Sequence, residues 1–220
     1  MGGMNKNRFG AYLVIGVIGC AVTTLAAVPP LPEVVSSHGR TATLLEKRVV
    51  RLHSAGQADL AFQVAIDIIK DDDFLSALQK AYAMMLPEGQ EPEFTVKQTE
   101  PGQYAYVNRG GEQTRITEVH RAFANGCVEL YLFSEGDRFF GRFEALTAIT
   151  VMPAADDRVD WQVSVYAYPR NTISRLVART GVVNRFFRSK TDEITDLAVR
   201  IGTFMTNQRK LSTVDQAHSG

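Results

Sequence analysis

Residues 159–168 read VDWQVSVYAY, and the alternation in this stretch decides the fold. Apolar side chains recur at every second position through most of it, at Val159, Trp161, Val163 and Val165. Because successive side chains of a β-strand point to opposite faces of a sheet, this pattern predicts one face on a core and one face in water. The stretch therefore predicts an antiparallel sheet with one buried side.

Five further strand candidates precede this one, rich in β-branched and aromatic residues. Short segments with glycine or asparagine, at 108–111, 124–126 and 134–137, have the chemistry of hairpin turns. Consecutive strands are therefore predicted to pair antiparallel as a meander. The five candidates are residues 94–98, 104–108, 112–123, 128–134 and 138–152.

The segment after Pro169 has a helical pattern from residue 171 to residue 207. Its apolar side chains return to one side of a helix, while arginines and aspartates occupy the other side. Gly181 and a capping-box pattern at residues 189–192 predict a kink or a division of this helix. Residues 208–220 are predicted to be disordered.

A short strand and two helices are predicted before the meander. Residues 49–52 favour a strand, which the Ser-Ala-Gly sequence at 54–56 is expected to end. Residues 58–69 have apolar side chains at helical spacing, and a second helix is predicted over 73–86. Three aspartates at 71–73 suit the positive N-terminal end of that second helix, so we interpret them as a cap and expect no metal site.

This order of elements resembles the helix-grip (SRPBCC) fold of the StAR-related lipid-transfer and birch-pollen-allergen superfamily. The resemblance covers residues 47–207. It is closest in RVVRLH (48–53) and ADLAFQVAIDII (58–69), which look like the first strand and first helix of that superfamily. It implies an α+β domain, assigned to residues 44–207, in which a curved antiparallel sheet surrounds a long C-terminal helix. It also implies an apolar cavity between sheet and helix that takes lipids, sterols, polyketides or other hydrophobic molecules.

Under this resemblance, the apolar side chains of the last two strands and of the helix are predicted to line the cavity. An alternative stays open, in which the same side chains fill the core completely. The predicted lining residues are Phe139, Phe143, Ile149, Val151, Trp161, Val163, Val183, Phe187 and Ile194.

Few residues suggest chemistry. Glu118 and His120 are two positions apart on one strand, so an acid/base pair is one interpretation and a solvated charged strand is the other. Arg142 is a third polar candidate, and the three would serve an enzyme of the cyclase or hydratase kind. We identify no Gly-rich phosphate loop, serine elbow or His-Glu-x-x-His motif, so the sequence predicts no catalytic residue, cofactor or metal.

Residues 9–28 contain no charged side chain and follow Lys6 and Arg8. Three interpretations stay open: a cleaved signal peptide, a lipoprotein signal with Cys20 as the lipidated residue, and an uncleaved signal-anchor. The full twenty-residue length and the basic flank favour the signal-anchor. Residues 1–28 therefore predict a cell-envelope location, with the domain on the extracytoplasmic side, and the proline-rich residues 29–43 predict a flexible linker.

The chain carries 24 basic and 24 acidic residues, and this balance argues against a nucleic-acid partner. The leading hypothesis is an envelope-localised, membrane-tethered protein that binds a lipid or another hydrophobic small molecule. The alternative is a structural accessory subunit of a membrane protein complex. That alternative expects an exposed apolar patch, for which the candidates are Tyr104, Tyr106, Tyr131 and Phe133.

Overall fold

The computed structural model describes residues 30–217 except 125, 139–140 and 173–180, so the predicted signal or anchor segment lies outside the described residues. The described part contains five helices and seven strands. In chain order they are α1 Glu33–Ser36, α2 Gly39–Lys47, β1 Val50–Ala58, α3 Phe62–Lys70, α4 Phe74–Met85, β2 Phe94–Glu100, β3 Gln103–Asn108, β4 Gln113–Ala124, β5 Cys127–Arg138, β6 Gly141–Pro153, β7 Val159–Pro169 and α5 Val182–Ala217.

The seven strands form one sheet in the order β1-β7-β6-β5-β4-β3-β2. Every neighbouring pair is antiparallel, which confirms the predicted meander from β2 to β7. The first strand, β1, lies at the edge of the sheet opposite β2 and pairs with β7, from Val50 opposite Ala167 to Ala58 opposite Val159. The predicted α+β order of one strand, two helices, six strands and one long helix is confirmed.

The sheet has an inner face towards α3, α4 and α5, and an outer face on the opposite side. On β7, Val159 and Val165 belong to inner clusters that include α3 and α5 residues, whereas Tyr166 belongs to an outer cluster. This is the alternation that residues 159–168 predict. The inner face is therefore where sheet and helices can enclose a ligand.

The outer face is covered by α1 and α2, in a region where the sequence predicts a flexible linker over residues 29–43. Val35 of α1 and Leu44 of α2 are fully buried against Tyr131, Leu146 and Tyr166 of the sheet. The prediction is wrong for residues 33–43, because the buried apolar side chains of α1 and α2 are too few to give a visible helical period. The segment is a packed layer of the domain.

The C-terminal helix also differs from the prediction. The C-terminal helix α5 continues to Ala217, ten residues into the segment 208–220 that is predicted to be disordered. It begins after Gly181, which has φ +84° and accepts a hydrogen bond from the backbone N of Arg185 at 2.9 Å. Glycine adopts this left-handed conformation without steric cost, so α5 can begin there, whereas the capping-box pattern at 189–192 lies within α5.

No helix among the described residues is long and apolar enough to cross a membrane.

Candidate functional site

Two adjoining cavities lie between the inner face of the sheet and helices α3 to α5. The inner cavity has a volume of about 220 Å³ and is bounded by Ile68 of α3, Leu78 of α4, Ile149 of β6, Trp161 of β7 and Val199 of α5, among others. None of the described residues that line it carries a charge. This cavity is an apolar chamber beside the β1–β7 edge.

The outer cavity is larger, at about 450 Å³, and lies towards the β2–β3 end of the sheet. Its wall contains aromatic side chains, including Phe94, Tyr106, Phe143 and Phe187. Charged side chains also line it, and they are Glu93, Arg109, Glu112, Arg138, Lys190 and Glu193. The outer cavity therefore offers both apolar surface and charge.

The two cavities meet at four shared residues, Thr147, Val165, Thr191 and Ile194. Residues from all six strands β2 to β7 line the outer cavity, as do residues of α5. Six neighbouring strands in a flat sheet would spread over about 24 Å, so the sheet must bend to place them around one space. A helix set against such a bend leaves room along part of its length.

One face of α5 lines the cavities through residues spaced three or four apart, namely Thr191, Ile194, Thr195, Ala198 and Gly202. Thr191 is buried, but Ile194 is 63% exposed and Ala198 is exposed. A residue that both lines a cavity and meets solvent marks an opening. The cavities are therefore accessible beside the middle of α5.

The threonines of α5 add little polarity to this wall. Thr191 donates its hydroxyl to the carbonyl of Phe187 at 2.8 Å, and Thr195 donates to the carbonyl of Thr191 at 2.8 Å. A hydroxyl that donates to its own helix has no proton left for a ligand. In contrast, the indole Nε1 of Trp161 is buried and has no hydrogen-bond partner among the described residues.

Arg138, the last residue of β5, lies in the wall of the outer cavity. Its guanidinium donates to Thr114 Oγ1 at 2.6 Å and lies 5.9 Å from the ring centre of Tyr106 and 5.6 Å from that of Phe143. The nearest carboxylate, that of Glu112, is 3.7 Å away. Burial raises the pKa of the Tyr106 phenol, and the charge of Arg138 opposes this rise. The guanidinium thus lies over two aromatic rings.

The predicted lining residues fall mostly on the cavity walls. Seven of them line one or both cavities: Phe143, Ile149, Val151, Trp161, Val163, Phe187 and Ile194. Phe139 lies outside the described residues, and Val183 falls in the first turn of α5, of which only the backbone is described. The walls leave space between them, unlike the alternative of a completely filled core. That these residues bind a ligand stays a prediction.

The interpretation of Glu118 and His120 as a pair on one face is wrong. The β4–β5 ladder contains a bulge between them, so that Glu118 is opposite Leu132 and His120 is opposite Tyr131. Adjacent residues of β5 point to opposite faces, with Leu132 in an inner cluster and Tyr131 in an outer one. The extra residue, Val119, shifts the alternation by one position, so the two side chains lie on different faces.

Glu118 instead pairs with Arg121, which is on the same inner face after the bulge. Arg121 also donates to the backbone carbonyls of Ile69, at 2.6 Å, and Asp71, at 3.1 Å, at the end of α3. Its guanidinium lies 5.2 Å from the ring centre of Phe74 in α4. This cluster anchors the corner between α3 and α4 to the sheet.

The remaining candidates are not in the cavities. Arg142 is exposed on the outer face of β6, opposite Asp137. The four aromatic residues proposed as an exposed patch do not form one, because Tyr104, Tyr131 and Phe133 are buried and Tyr106 lines the outer cavity. Among the described residues, no group of acidic, histidine or cysteine side chains could hold a metal ion.

The site residues predicted from the sequence do not include Arg138. Residues 134–137 are predicted as a turn, so the predicted strand ends at Ser134 and Arg138 is assigned to the start of the next strand. In the structure β5 continues to Arg138. Every second residue of this strand from Leu130 onwards lies on the inner face of the sheet, namely Leu130, Leu132, Ser134, Gly136 and Arg138. Extending the period of two from Leu130 would have placed Arg138 towards the cavity.

No protein-family model and no curated protein matches this chain. Solved structures that are similar to this chain include a hypothetical protein of Helicobacter pylori. Its TM-score is 0.47 and its identity 14%, over 80% of this chain and 97% of that one. A conserved protein from Geobacillus kaustophilus has TM-score 0.48 and 11% identity over 71% of this chain and 95% of that one. A START superfamily protein from Mycobacterium smegmatis has TM-score 0.44 and 11% identity over 70% of this chain and 97% of that one.

These identities and TM-scores are low, so they carry no argument about activity. The topology of the chain itself is more informative. The sequence resemblance implies a particular arrangement, and the structure has it. A first strand lies at one edge of the sheet and is followed by two helices, a six-stranded antiparallel meander and a C-terminal helix that lines cavities on the inner face. The chain has the helix-grip fold.

Proposed function

We propose that this protein binds a hydrophobic small molecule or lipid in the space between the sheet and α5. The observation that carries the proposal is the inner cavity. It has a volume of about 220 Å³, and its described lining contains no charged side chain. It continues into the outer cavity of about 450 Å³ and reaches solvent beside Ile194. An apolar cavity with a few polar groups at one end is typical of small-molecule binding sites.

The physical mechanism of such binding is partition. Moving a methylene group from water into an apolar site is worth about 0.8 kcal/mol, so a short alkyl chain gains useful affinity without a specific polar contact. An acid/base enzyme would need ionisable groups beside the reacting atoms, and the described lining of the inner cavity provides none. Binding is therefore the function that this chamber supports best.

The proposal includes a location. Residues 9–28 are uncharged and follow Lys6 and Arg8, which supports export or anchoring with the domain on the extracytoplasmic side of a cell membrane. Membrane fractionation of the native protein, with mass spectrometry of its N-terminus, tests this part. An intact, membrane-bound N-terminus supports an anchor, a lipid on Cys20 supports a lipoprotein, and an N-terminus that follows the apolar segment supports a cleaved signal peptide. An unmodified chain in the cytoplasmic fraction contradicts all three versions.

The binding proposal can be tested through Trp161, because it is the single tryptophan of the chain and lines the inner cavity. The probe is 11-bromo-1-undecanol, whose bromine quenches tryptophan fluorescence on contact. The full chain is kept in solution with an amphipathic polymer that contains no tryptophan. We expect saturable quenching at one probe molecule per chain.

Two variants of neighbouring residues make the test specific. Val163→Phe places a larger side chain in the inner cavity, whereas Gln162→Phe places the same side chain on the opposite face of β7. We expect Val163→Phe to weaken saturable quenching about tenfold or more and Gln162→Phe to leave it unchanged. Quenching that never saturates, or that is equal in both variants, would contradict a ligand site at this position.

A further inference from the structure

The charged residues of the outer cavity differ in burial, because only one of them has its side chain largely buried in the cavity wall. The side chain of Arg138 is 11% exposed, whereas those of Glu112, Lys190 and Glu193 are 38%, 49% and 55% exposed. Glu93 and Arg109 are exposed as well. The formal charges balance, but the charge nearest the interior is positive. A molecule inside the outer cavity therefore meets a guanidinium first and the carboxylates only at the rim.

The partners of Arg138 leave its charge weakly compensated. Thr114 Oγ1 and the carbonyls of Gln113 and Asp137 accept its hydrogen bonds, and all three are neutral groups. The carboxylate of Glu112 is at 3.7 Å, longer than a hydrogen bond, and it accepts instead from Asn108 Nδ2 at 2.7 Å. A buried cation is costly unless an anion lies against it with good geometry. The ring faces of Tyr106 and Phe143 provide part of this compensation.

We propose that Arg138 binds the anionic head group of the bound molecule, so that the ligand class is an amphiphile with an acidic head and a single apolar chain, such as a fatty acid. This inference rests on the proposed binding function. The head lies in the outer cavity, and the chain passes the shared residues Thr147 and Thr191 into the inner cavity, where Trp161 is found. Arginine suits this role because its planar fork of donors matches a carboxylate.

The test compares two probes that differ only in the head group, 11-bromoundecanoic acid and 11-bromo-1-undecanol, at a pH where the acid is ionised. Both are titrated into the full chain while the fluorescence of Trp161 is measured. We expect the carboxylate to bind about tenfold or more tightly than the alcohol, which is the effect of one charge-assisted hydrogen bond. Equal binding of the two probes, or tighter binding of the alcohol, overturns the role of Arg138 while the cavity function stands.

Variants assign the effect to this residue. Arg138→Gln should remove the preference for the carboxylate and leave the affinity for the alcohol unchanged, which also shows that the cavity is still folded. Arg138→Lys should keep part of the preference, because the charge remains but the fork is lost. The matched control is Arg142→Gln, which removes the same charge from the exposed outer face of β6 and should keep the full preference.

Three other outcomes decide against the proposal. A loss of affinity for both probes in Arg138→Gln would show a structural role for the guanidinium. A loss of the preference in Arg142→Gln would show that net charge alone attracts the acid. If neither probe quenches Trp161 in the unaltered chain, the cavity function itself fails, and the inference about its head group fails with it.

Discussion

The indole ring of Trp161 lies directly over the backbone of Gly56, its partner across the β1–β7 ladder. A Cβ atom added to Gly56 would be 2.7 Å from Cζ2 of the ring and 3.3 Å from Nε1. Real Cβ atoms essentially never approach another atom to less than 3.0 Å, so a side chain at position 56 would displace the ring. Gly56 thus provides the space that sets the position of Trp161 in the wall of the inner cavity.

The first prediction concerns this contact. Gly56→Ala should push the indole towards the inner cavity, shift the emission maximum of Trp161, and weaken saturable quenching by 11-bromo-1-undecanol several-fold. Gly39→Ala is the control, because a Cβ at that position of α2 meets no atom within 4 Å. An unchanged emission spectrum and unchanged quenching in Gly56→Ala would show that the ring is not held by this contact.

Gly56 also shows why part of the fold could not be predicted. The Ser-Ala-Gly sequence at 54–56 has the composition of a strand end, yet β1 continues through it to Ala58. Gly136 is a second case, since it lies inside β5 and a Cβ there would be 2.7 Å from the carbonyl oxygen of Gln113 and 3.2 Å from Phe143. Both glycines make room for groups that are distant in the sequence, and composition cannot distinguish such a glycine from one that ends a strand.

The order of the strands and helices could be predicted because it depends on local patterns. Alternation in residues 159–168 and the helical period after Gly181 are both visible within about twenty residues. The faces of the sheet on which Glu118 and His120 lie could not be predicted. They depend on the bulge at Val119, which appears only when β4 is paired with β5. Helices α1 and α2 could not be predicted for a similar reason. Their apolar side chains are few, and their role is visible only when they are packed against the sheet.

The second prediction tests the packing of α2. Leu44 is 1% exposed against the outer face of the sheet, whereas Val34 of α1 is 54% exposed. Leu44→Ala should lower the free energy of unfolding by about 2–5 kcal/mol, as truncation of a buried leucine does in other cores. Val34→Ala, measured by the same urea titration, should change it by less than about 0.5 kcal/mol. Equal small effects would indicate that residues 33–47 do not pack against the sheet.

The third prediction concerns stability at alkaline pH. Burial, with a smaller contribution from Glu118, raises the pKa of Tyr104 from 10.0 to about 12. The folded state therefore keeps this proton at a pH where the unfolded chain has lost it. The stability from the neutral phenol is complete below pH 10 and is lost as the pH rises towards 12.

Tyr104→Phe separates this effect from a simple loss of contact. The variant loses the hydrogen bond from the phenol to the carbonyl of Asp72, at 2.9 Å, which should cost about 1 kcal/mol below pH 10. Between pH 10 and 12 it should then lose less stability than the unaltered chain. Urea unfolding across this pH range measures both quantities. Parallel stability curves for the two proteins would contradict a raised pKa at this tyrosine.

The last prediction links the Glu118–Arg121 pair to the cavity. Arg121 donates to the final carbonyls of α3, and α3 lines the inner cavity through Ala65, Ile68 and Ile69. Arg121→Met removes these donors and leaves the largely buried carboxylate of Glu118 without its cation, which should cost about 1–3 kcal/mol. The loosened α3 should also weaken quenching of Trp161 by 11-bromo-1-undecanol.

The control for this variant is Arg115→Met, which changes an exposed arginine on the outer face of the same strand. Its effect on stability should stay within about 0.5 kcal/mol. A second comparison separates the two causes of the loss. The double variant Glu118→Gln/Arg121→Met has no unpaired carboxylate, so it should regain part of the stability but none of the probe affinity, because α3 remains without its donors. Full recovery of both would show that the charge of Glu118, and not the support of α3, explains the single variant.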